Sequence, residues 1–444
     1  AREIIAKFGT DTLSVIEVEP ERLMEIRGIT GKKAQMISEA FLRQTGLRRL
    51  MDFLRKYGLK TQIAMPLYRI YGGDALEALN ANPYIIAGDQ FGNDFLSADE
   101  LAAQLGFDMD RPERARAAVY FELIHNLGNG HSFLPREKLL MAAGSLTGID
   151  SEKIEIALSE LEEEGDIVCQ EIAGQNACYV AGVYEAEANV ADRIRLLGEM
   201  KGELRGNVEK IVSSIENENG IKYTELQKEA VMTAAKSHIM VLTGGPGTGK
   251  TTTVRGIFEL FGNLGLNTVL TAPTGRAAKR LSEIAGEQAL TIHRLLGAGY
   301  REEGEILKFE HDEQNPLKCD AIILDETSMV DVLIMNSLLL AMKPGCRIVL
   351  VGDADQLPPI GPGNVFGEII RSETVPIIRL EKIFRQSEKD MIVYNAHMIN
   401  EGKLPDLGKN VGDFFFMERK DPQRAARTVV SLCAERLPKN MGID

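Results

Sequence analysis

The chain has 444 residues, of which 44% are hydrophobic and 26% charged, with a formal net charge of −14. This is the balance of an ordinary globular protein; no apolar run approaches the roughly 18 residues of a membrane span, and no secretory signal opens the chain. The acidic total argues against a general polyanion binder, yet residues 1–60 carry a net +4 and the remainder −18, so a local basic track for nucleic acid stays open.

Length alone suggests three or four domains. Five cysteines (Cys169, Cys178, Cys319, Cys346 and Cys433) are too few and too scattered for a disulfide framework or a zinc site. Cys169 and Cys178 can face each other across a hairpin, but reduced core thiols in a reducing cytoplasm are the expectation. The first residue is Ala, which reads as a processed chain or a piece of a longer one.

Residues 1–108 read as helical. Residues 23–37 flank a Gly28–Gly31 turn with apolar side chains and resemble a helix-hairpin-helix motif. In that motif backbone N–H groups face a nucleic-acid phosphate, and Lys32 and Lys33 stand where they would help. An ordinary helical hairpin has the same pattern. A second candidate, residues 76–105, lacks the glycine turn and the lysines.

Residues 109–204 suggest a winged-helix-like module. A helix over 115–127 and a loop at 131–135 precede a helix with Ile154, Ala157, Leu158 and Leu161 on one face. Strands over 167–172 and 177–183 follow, joined by 173–176. Such a module either contacts DNA or packs domains together. His125 and His131 have no partner at metal-ligand spacing and read as structural. An acidic helical region, 185–219, leads onward.

From about residue 205 strands and helices alternate. Strands over 239–243, 268–272, 319–324 and 347–351 predict parallel βαβ units with a ligand at their carboxyl ends. The first strand runs into Gly244-Gly-Pro-Gly-Thr-Gly-Lys-Thr251, which fits the phosphate-loop pattern G-x-x-x-x-G-K-[ST]. Glycines let successive N–H groups face one anion, and the helix starting near Lys250 aims its positive end there. Gly245, Pro246, Gly247, Thr248, Gly249 and Thr252 are therefore expected to hold a nucleoside triphosphate. Lys250 would reach the β- and γ-phosphates, and Thr251 would ligate Mg²⁺.

Two more segments end strands. Ala321-Ile-Ile-Leu-Asp-Glu326 closes on adjacent carboxylates, with Asp325 suited to the metal and Glu326 to deprotonating a water in line with the γ-phosphate. Val351-Gly-Asp-Ala-Asp-Gln356 puts the Gln356 amide where it can sense that phosphate.

Leu226-Gln227, the phosphate loop, Thr271-Ala-Pro-Thr-Gly-Arg276, Thr291-Ile-His293, Asp325-Glu-Thr-Ser-Met329, 352–359 and Leu380-Glu-Lys-Ile-Phe-Arg385 stand in the order of superfamily 1 DNA helicase motifs. Their wording is similar to the RecD/TraA branch, above all to bacterial RecD-like ATP-dependent DNA helicases, over roughly residues 1–440. The resemblance implies an α/β fold: a RecA-like P-loop motor domain with a parallel sheet (205–374) and an incomplete second RecA-like domain (375–444). Helix-hairpin-helix (1–108) and winged-helix-like (109–204) modules would precede them.

It also implies ATP and Mg²⁺ as cofactors, 5′→3′ movement on single-stranded DNA, action at single-strand/double-strand junctions, and a monomeric cytoplasmic protein of DNA repair or recombination. Gln227 would bond the adenine, and Arg385 would reach the γ-phosphate from the second motor domain. Pro273, Thr274, Arg276, Thr291 and His293 would line the DNA path. A short β-hairpin near 299–310 would split the duplex, although the pattern alone fits a surface loop equally. After Arg385 the family's later motor motifs have no counterpart, so the 444 residues read as a piece impaired in unwinding. Three rivals remain: a kinase, a DNA-binding P-loop ATPase without unwinding activity, and a scaffold inert towards ATP.

Overall fold

A computed structural model of the chain describes residues 2–92, 94–200, 207–245, 247–299, 309–380, 391–408 and 413–441. The chain divides into a larger unit, residues 1–243 with 249–379, and a smaller one, residues 244–248 with 380–444.

The larger unit opens with helices alone as far as Leu127. A small first core gathers Ile4, Val15, Ile16, Leu23, Ile26 and Ala34. From it the helix Gly31–Lys56 runs to the main core, where Leu50 and Leu54 are buried. Thr30 starts that helix by accepting a hydrogen bond from the Lys33 N–H, and Gly28 (φ +95°) makes the preceding turn. Residues 23–37 thus comprise the end of a 3-10 turn (Pro20–Glu25), the Gly28 turn and the start of one α-helix.

Helices Pro112–Leu127, Arg136–Thr147 and Ser151–Glu163 follow. Asp150 caps the last of them, whose buried residues are Ile154, Ala157, Leu158 and Leu161. Three short strands come next in space: β1 (Leu134–Pro135), β2 (Ile167–Ile172) and β3 (Gln175–Val180), in the antiparallel order β1-β3-β2. These strands differ from those expected from the sequence. The hairpin connection is two residues, Ala173 and Gly174, both at positive φ (+50° and +78°), the turn whose twist matches paired strands. Gln175 and Asn176 therefore belong to β3, and residues 181–183 start the helix Ala181–Glu199. Residues 134–135, read as loop, pair with Cys178 and Ala177, and Pro135 is tolerated on this edge strand.

These helical modules share one core. Arg114 is buried and joins the two expected modules, bonding Asp99 at 2.6 and 2.9 Å and the carbonyls of Met109 and Thr147. The acidic helix Ala181–Glu199 is no solvated linker: Val183, Ala186, Val190 and Ile194 are buried, and it packs against the helix Val332–Leu340.

The sheet that follows has six strands: β4 (Ile239–Thr243), β5 (Thr268–Ala272), β6 (Ala289–Thr291), β7 (Ala321–Leu324), β8 (Arg347–Gly352) and β9 (Ile377–Arg379). All pairings are parallel and the order is β6-β5-β7-β8-β4-β9. Every residue of β4 and β7 is buried, as strands covered on both faces require. Helices Lys250–Asn263, Gly275–Ala285 and Val332–Leu340 make the crossovers. β9 extends this sheet past residue 374, the limit read from the sequence.

In the smaller unit the described residues from 391 onward form helices Met391–Asn400 and Pro422–Ser431, a π-turn at Leu432–Arg436 and a last short helix. Asn395 is buried there and exchanges hydrogen bonds with the Asp406 backbone (2.7 and 3.3 Å).

Candidate nucleotide and DNA site

In the larger unit the helix Lys250–Asn263 starts from Gly249, whose φ of +91° suits glycine. A Cβ on Gly249 would also stand 2.5 Å from Gln227 Nε2. Gln227 occupies the third position of the helix Glu225–Lys236 and completes a capping box with Thr224 (Thr224 N–H to Oε1, 2.9 Å; Gln227 N–H to Thr224 Oγ1, 3.3 Å). Its Nε2 donates to the Gly249 carbonyl at 3.4 Å. The residue expected to read adenine thus braces the start of the phosphate-loop helix, and its amide retains a second N–H and a second lone pair for a ligand.

Thr251 and Thr252 are exposed in the first turn of this helix, whereas Thr253 is buried and donates its hydroxyl to the Gly249 carbonyl (3.0 Å). In the smaller unit Thr248 Oγ1 donates to the Gly245 carbonyl (2.9 Å), and a Cβ on Gly244 would meet the Leu380 carbonyl at 2.6 Å. Gly247 has a φ of +73°. Pro246 and Arg385 lie outside the described residues.

Asp325 and Glu326 follow β7. The Asp325 N–H donates to the Thr271 carbonyl at 2.9 Å, fixing the strand end, and Asp325 Oδ1 accepts the Glu326 N–H at 2.9 Å. Glu326 is left-handed (φ +53°), a conformation a glutamate adopts only when its surroundings impose it. Burial lifts both carboxyls above their ordinary range; Asp325 lifts Glu326 further, while Lys250 and Arg280 pull both back. Lys250 and the carboxylate pair therefore share one electrostatic site. Arg280, one helical turn beyond Arg276, was not singled out by the motifs; its position four residues on was the available signal.

Gln356 is exposed after β8 and accepts the Ser328 hydroxyl at 3.2 Å, which links the amide to the turn after the carboxylates. Thr243, closing β4, accepts the Ala354 N–H at 3.1 Å and ties the phosphate-loop strand to this loop. The same loop rests on the helical module, where the Gly363 N–H donates to the Gly130 carbonyl at 3.1 Å.

The expected DNA-path residues come together at a different part of the sheet edge. Ala272 pairs with Thr291, so Pro273 and Thr274 leave β5 beside the end of β6. Thr274 and Thr291 spend their hydroxyls on helix caps, accepting from Ala277 N (3.2 Å) and Arg294 N (3.2 Å), while Arg276 and His293 are exposed. The His293 ring lies 5.9 Å from Phe309. Residues 300–308 of the expected pin lie outside the described residues. The chain on either side of them meets, with Glu310 N–H donating to the Leu296 carbonyl at 3.0 Å. Lys32 is exposed, and Lys33 Nζ donates to the Gly28 carbonyl at 3.4 Å.

A phosphate-loop sequence between β4 and the helix Lys250–Asn263, carboxylates directly after β7 and an amide in the loop after β8 of a parallel sheet define a P-loop nucleotide-binding protein with a RecA-like core. The family described as "AAA domain" matches residues 227–362, and the one described as "ATP-dependent RecD2 DNA helicase HHH domain" matches 43–133. The latter covers the second sequence candidate and begins after Lys32 and Lys33.

The ATP-dependent RecD2 DNA helicase of Deinococcus radiodurans is 34% identical over 419 residues, covering 92% of this chain and 57% of its own. The RecBCD enzyme subunit RecD of Haemophilus influenzae is 38% identical over 178 residues (34% of this chain, 27% of its own). The ATP-dependent DNA helicase dda of phage T4 is 40% identical over 148 residues (32% and 34%). This chain thus spans 57% or less of each of these relatives. It belongs to the RecD-like family of superfamily 1 helicases. Among the described residues no helix is long and apolar enough to cross a membrane.

Proposed function

We propose that this chain carries the nucleotide site of an ATP-dependent DNA helicase that moves 5′→3′ on single-stranded DNA and opens duplex at single-strand/double-strand junctions. The observation that carries the reading is the carboxylate pair Asp325–Glu326, buried enough to be perturbed and electrostatically coupled to Lys250. Such coupling is what phosphoryl-transfer chemistry uses and a surface acidic pair lacks.

In this reading Lys250 and the N-terminus of its helix hold the phosphates. Glu326 takes the proton of the attacking water, and the Gln356 amide hydrogen-bonds the γ-phosphate. Thr251 and Asp325 supply hard oxygen donors that fit Mg²⁺, an ion satisfied by one or two protein ligands beside phosphate oxygens. That ion, when bound, neutralises charge on the phosphates. Gln227 would pair with adenine through its spare amide capacity, and Arg385 would reach the γ-phosphate. Pro273, Thr274, Arg276, Thr291 and His293 would line the DNA, with Lys32 and Lys33 holding phosphates at the N-terminal hairpin.

We expect a monomer acting in the cytoplasm. ATP turnover measured with and without single-stranded DNA tests the reading. Stimulation by DNA supports it; turnover that ignores DNA points to a kinase, and none under either condition to an inert scaffold. Displacement of a blocking protein from one or other end of a single strand then gives the polarity.

A further inference from the structure

The wing of the helical module holds a pair of thiols that the nucleotide chemistry does not use. Cys169 on β2 and Cys178 on β3 are directly opposite in the antiparallel register, and their sulfurs are 2.8 Å apart. Opposed residues of such a ladder have Cα atoms about 4.5–5.5 Å apart, inside the disulfide window of about 4.4–6.8 Å, so a bond needs no change of register.

The two thiols differ in access and charge. Cys169 is half-buried, whereas Cys178 is buried completely. Arg136, at the start of the helix Arg136–Thr147, points Nη1 at Cys169 Sγ (3.6 Å) and is itself held by Glu155 (2.5 Å) and Glu162 (3.7 Å) on the helix Ser151–Glu163. Hydrogen bonding from Cys178 draws the Cys169 thiol below its ordinary range; Arg136 adds to this and Glu162 opposes it. The same contact, with burial, keeps Cys178 protonated. A half-exposed thiol beside an arginine, directly opposite a buried thiol, is the arrangement of a redox-sensing dithiol. The other thiols lack one half of it: Cys319 and Cys346 are both buried, and Cys433 is exposed on a different unit.

We propose that Cys169 and Cys178 are an oxidation site for hydroperoxides, with Cys169 the attacking and Cys178 the resolving thiol. The Cys169 thiolate attacks the peroxide oxygen, forming an S–O bond and breaking O–O, and the departing oxygen leaves as water or alcohol after taking a proton. Cys178 sulfur then attacks the sulfenic sulfur; the S–S bond forms, S–O breaks, and the leaving hydroxide takes the Cys178 proton as water. Two thiols are oxidised and one peroxide reduced. The bond would tie the edge strand β2 to the middle strand β3 and lock the wing in register.

The test uses the whole protein, reduced, freed of reductant and titrated with hydrogen peroxide. Remaining thiols are alkylated after unfolding and mapped by mass spectrometry. The expected first product has lost the mass of two hydrogen atoms, carries a Cys169–Cys178 linked peptide, leaves Cys319, Cys346 and Cys433 alkylatable, and reverts with dithiothreitol. In Cys178→Ser the sulfenic acid at Cys169 should persist and be trapped by dimedone. Oxidation of Cys433 ahead of the pair would overturn the proposal. So would a Cys178→Ser protein whose Cys169 is labelled no faster when folded than in urea.

Discussion

Replacing Gly249 by alanine tests the link between Gln227 and the phosphate-loop helix. A left-handed L-residue costs roughly 1–2 kcal/mol. Gly286, the C-cap of the helix Gly275–Ala285, has a φ of +72° with open space around its Cβ position, so Gly286→Ala carries that cost alone. At Gly249 the new Cβ would also stand 2.5 Å from Gln227 Nε2. The amide must then swing away, giving up its bond to the Gly249 carbonyl and its half of the capping box, each worth ~1 kcal/mol. Gly249→Ala should therefore lose ~3–4 kcal/mol against ~1–2 kcal/mol for Gly286→Ala. Urea unfolding of both variants, alone and with Gln227→Ala, measures this. In the Gln227→Ala background the Gly249→Ala penalty should fall by ~2 kcal/mol, the signature of direct coupling. Equal penalties at the two glycines, or one at Gly249 unchanged without Gln227, would mean that the Gln227 amide does not brace the phosphate-loop helix.

Three further outcomes are expected. Arg280→Ala removes a charge that pulls Glu326 down, so the acid limb of the turnover–pH profile should move to higher pH, less so at high salt; an unmoved limb would remove Arg280 from the site. Burial raises Asp325 in the folded protein, so wild-type stability is lost as pH rises from the ordinary aspartate range through the native value. Asp325→Asn should thus melt higher than wild type at neutral pH, and the gap should close on acidification. Exchanging Lys32 and Lys33 for glutamine should flatten the log–log salt dependence of single-strand binding by up to ~1.4, at ~0.7 per phosphate contact; an unchanged slope would take that hairpin off the DNA.

Much of the motor was legible because its signals are local. β4 is five buried residues, four of them apolar, ending at a glycine loop, and β7 runs straight into Asp325 and Glu326, so strand, loop and carboxylates could each be read from adjacent residues. β6 and β9, three residues each, give no periodicity to read. The hairpin turn was placed wrongly because Gln175 and Asn176 are polar and exposed, although they pair with Ile172 and Glu171. The acidic surface of the helix Ala181–Glu199 hid a buried face. The Thr224–Gln227 capping box is local and its spacing could have been read, but the bond from Gln227 to Gly249 and the field of Arg280 on Glu326 link residues distant in the chain.

In the proposed function this site hydrolyses ATP with Glu326 as the base. The most direct measurement is DNA-stimulated ATP turnover, with ATP binding followed separately, in the full-length protein carrying Glu326→Gln. Glutamine keeps the shape and removes the proton acceptor, so turnover should fall by ~10²–10⁴ while ATP affinity stays near wild type. Turnover within about tenfold of wild type, a barrier change of only ~1.4 kcal/mol, would contradict it.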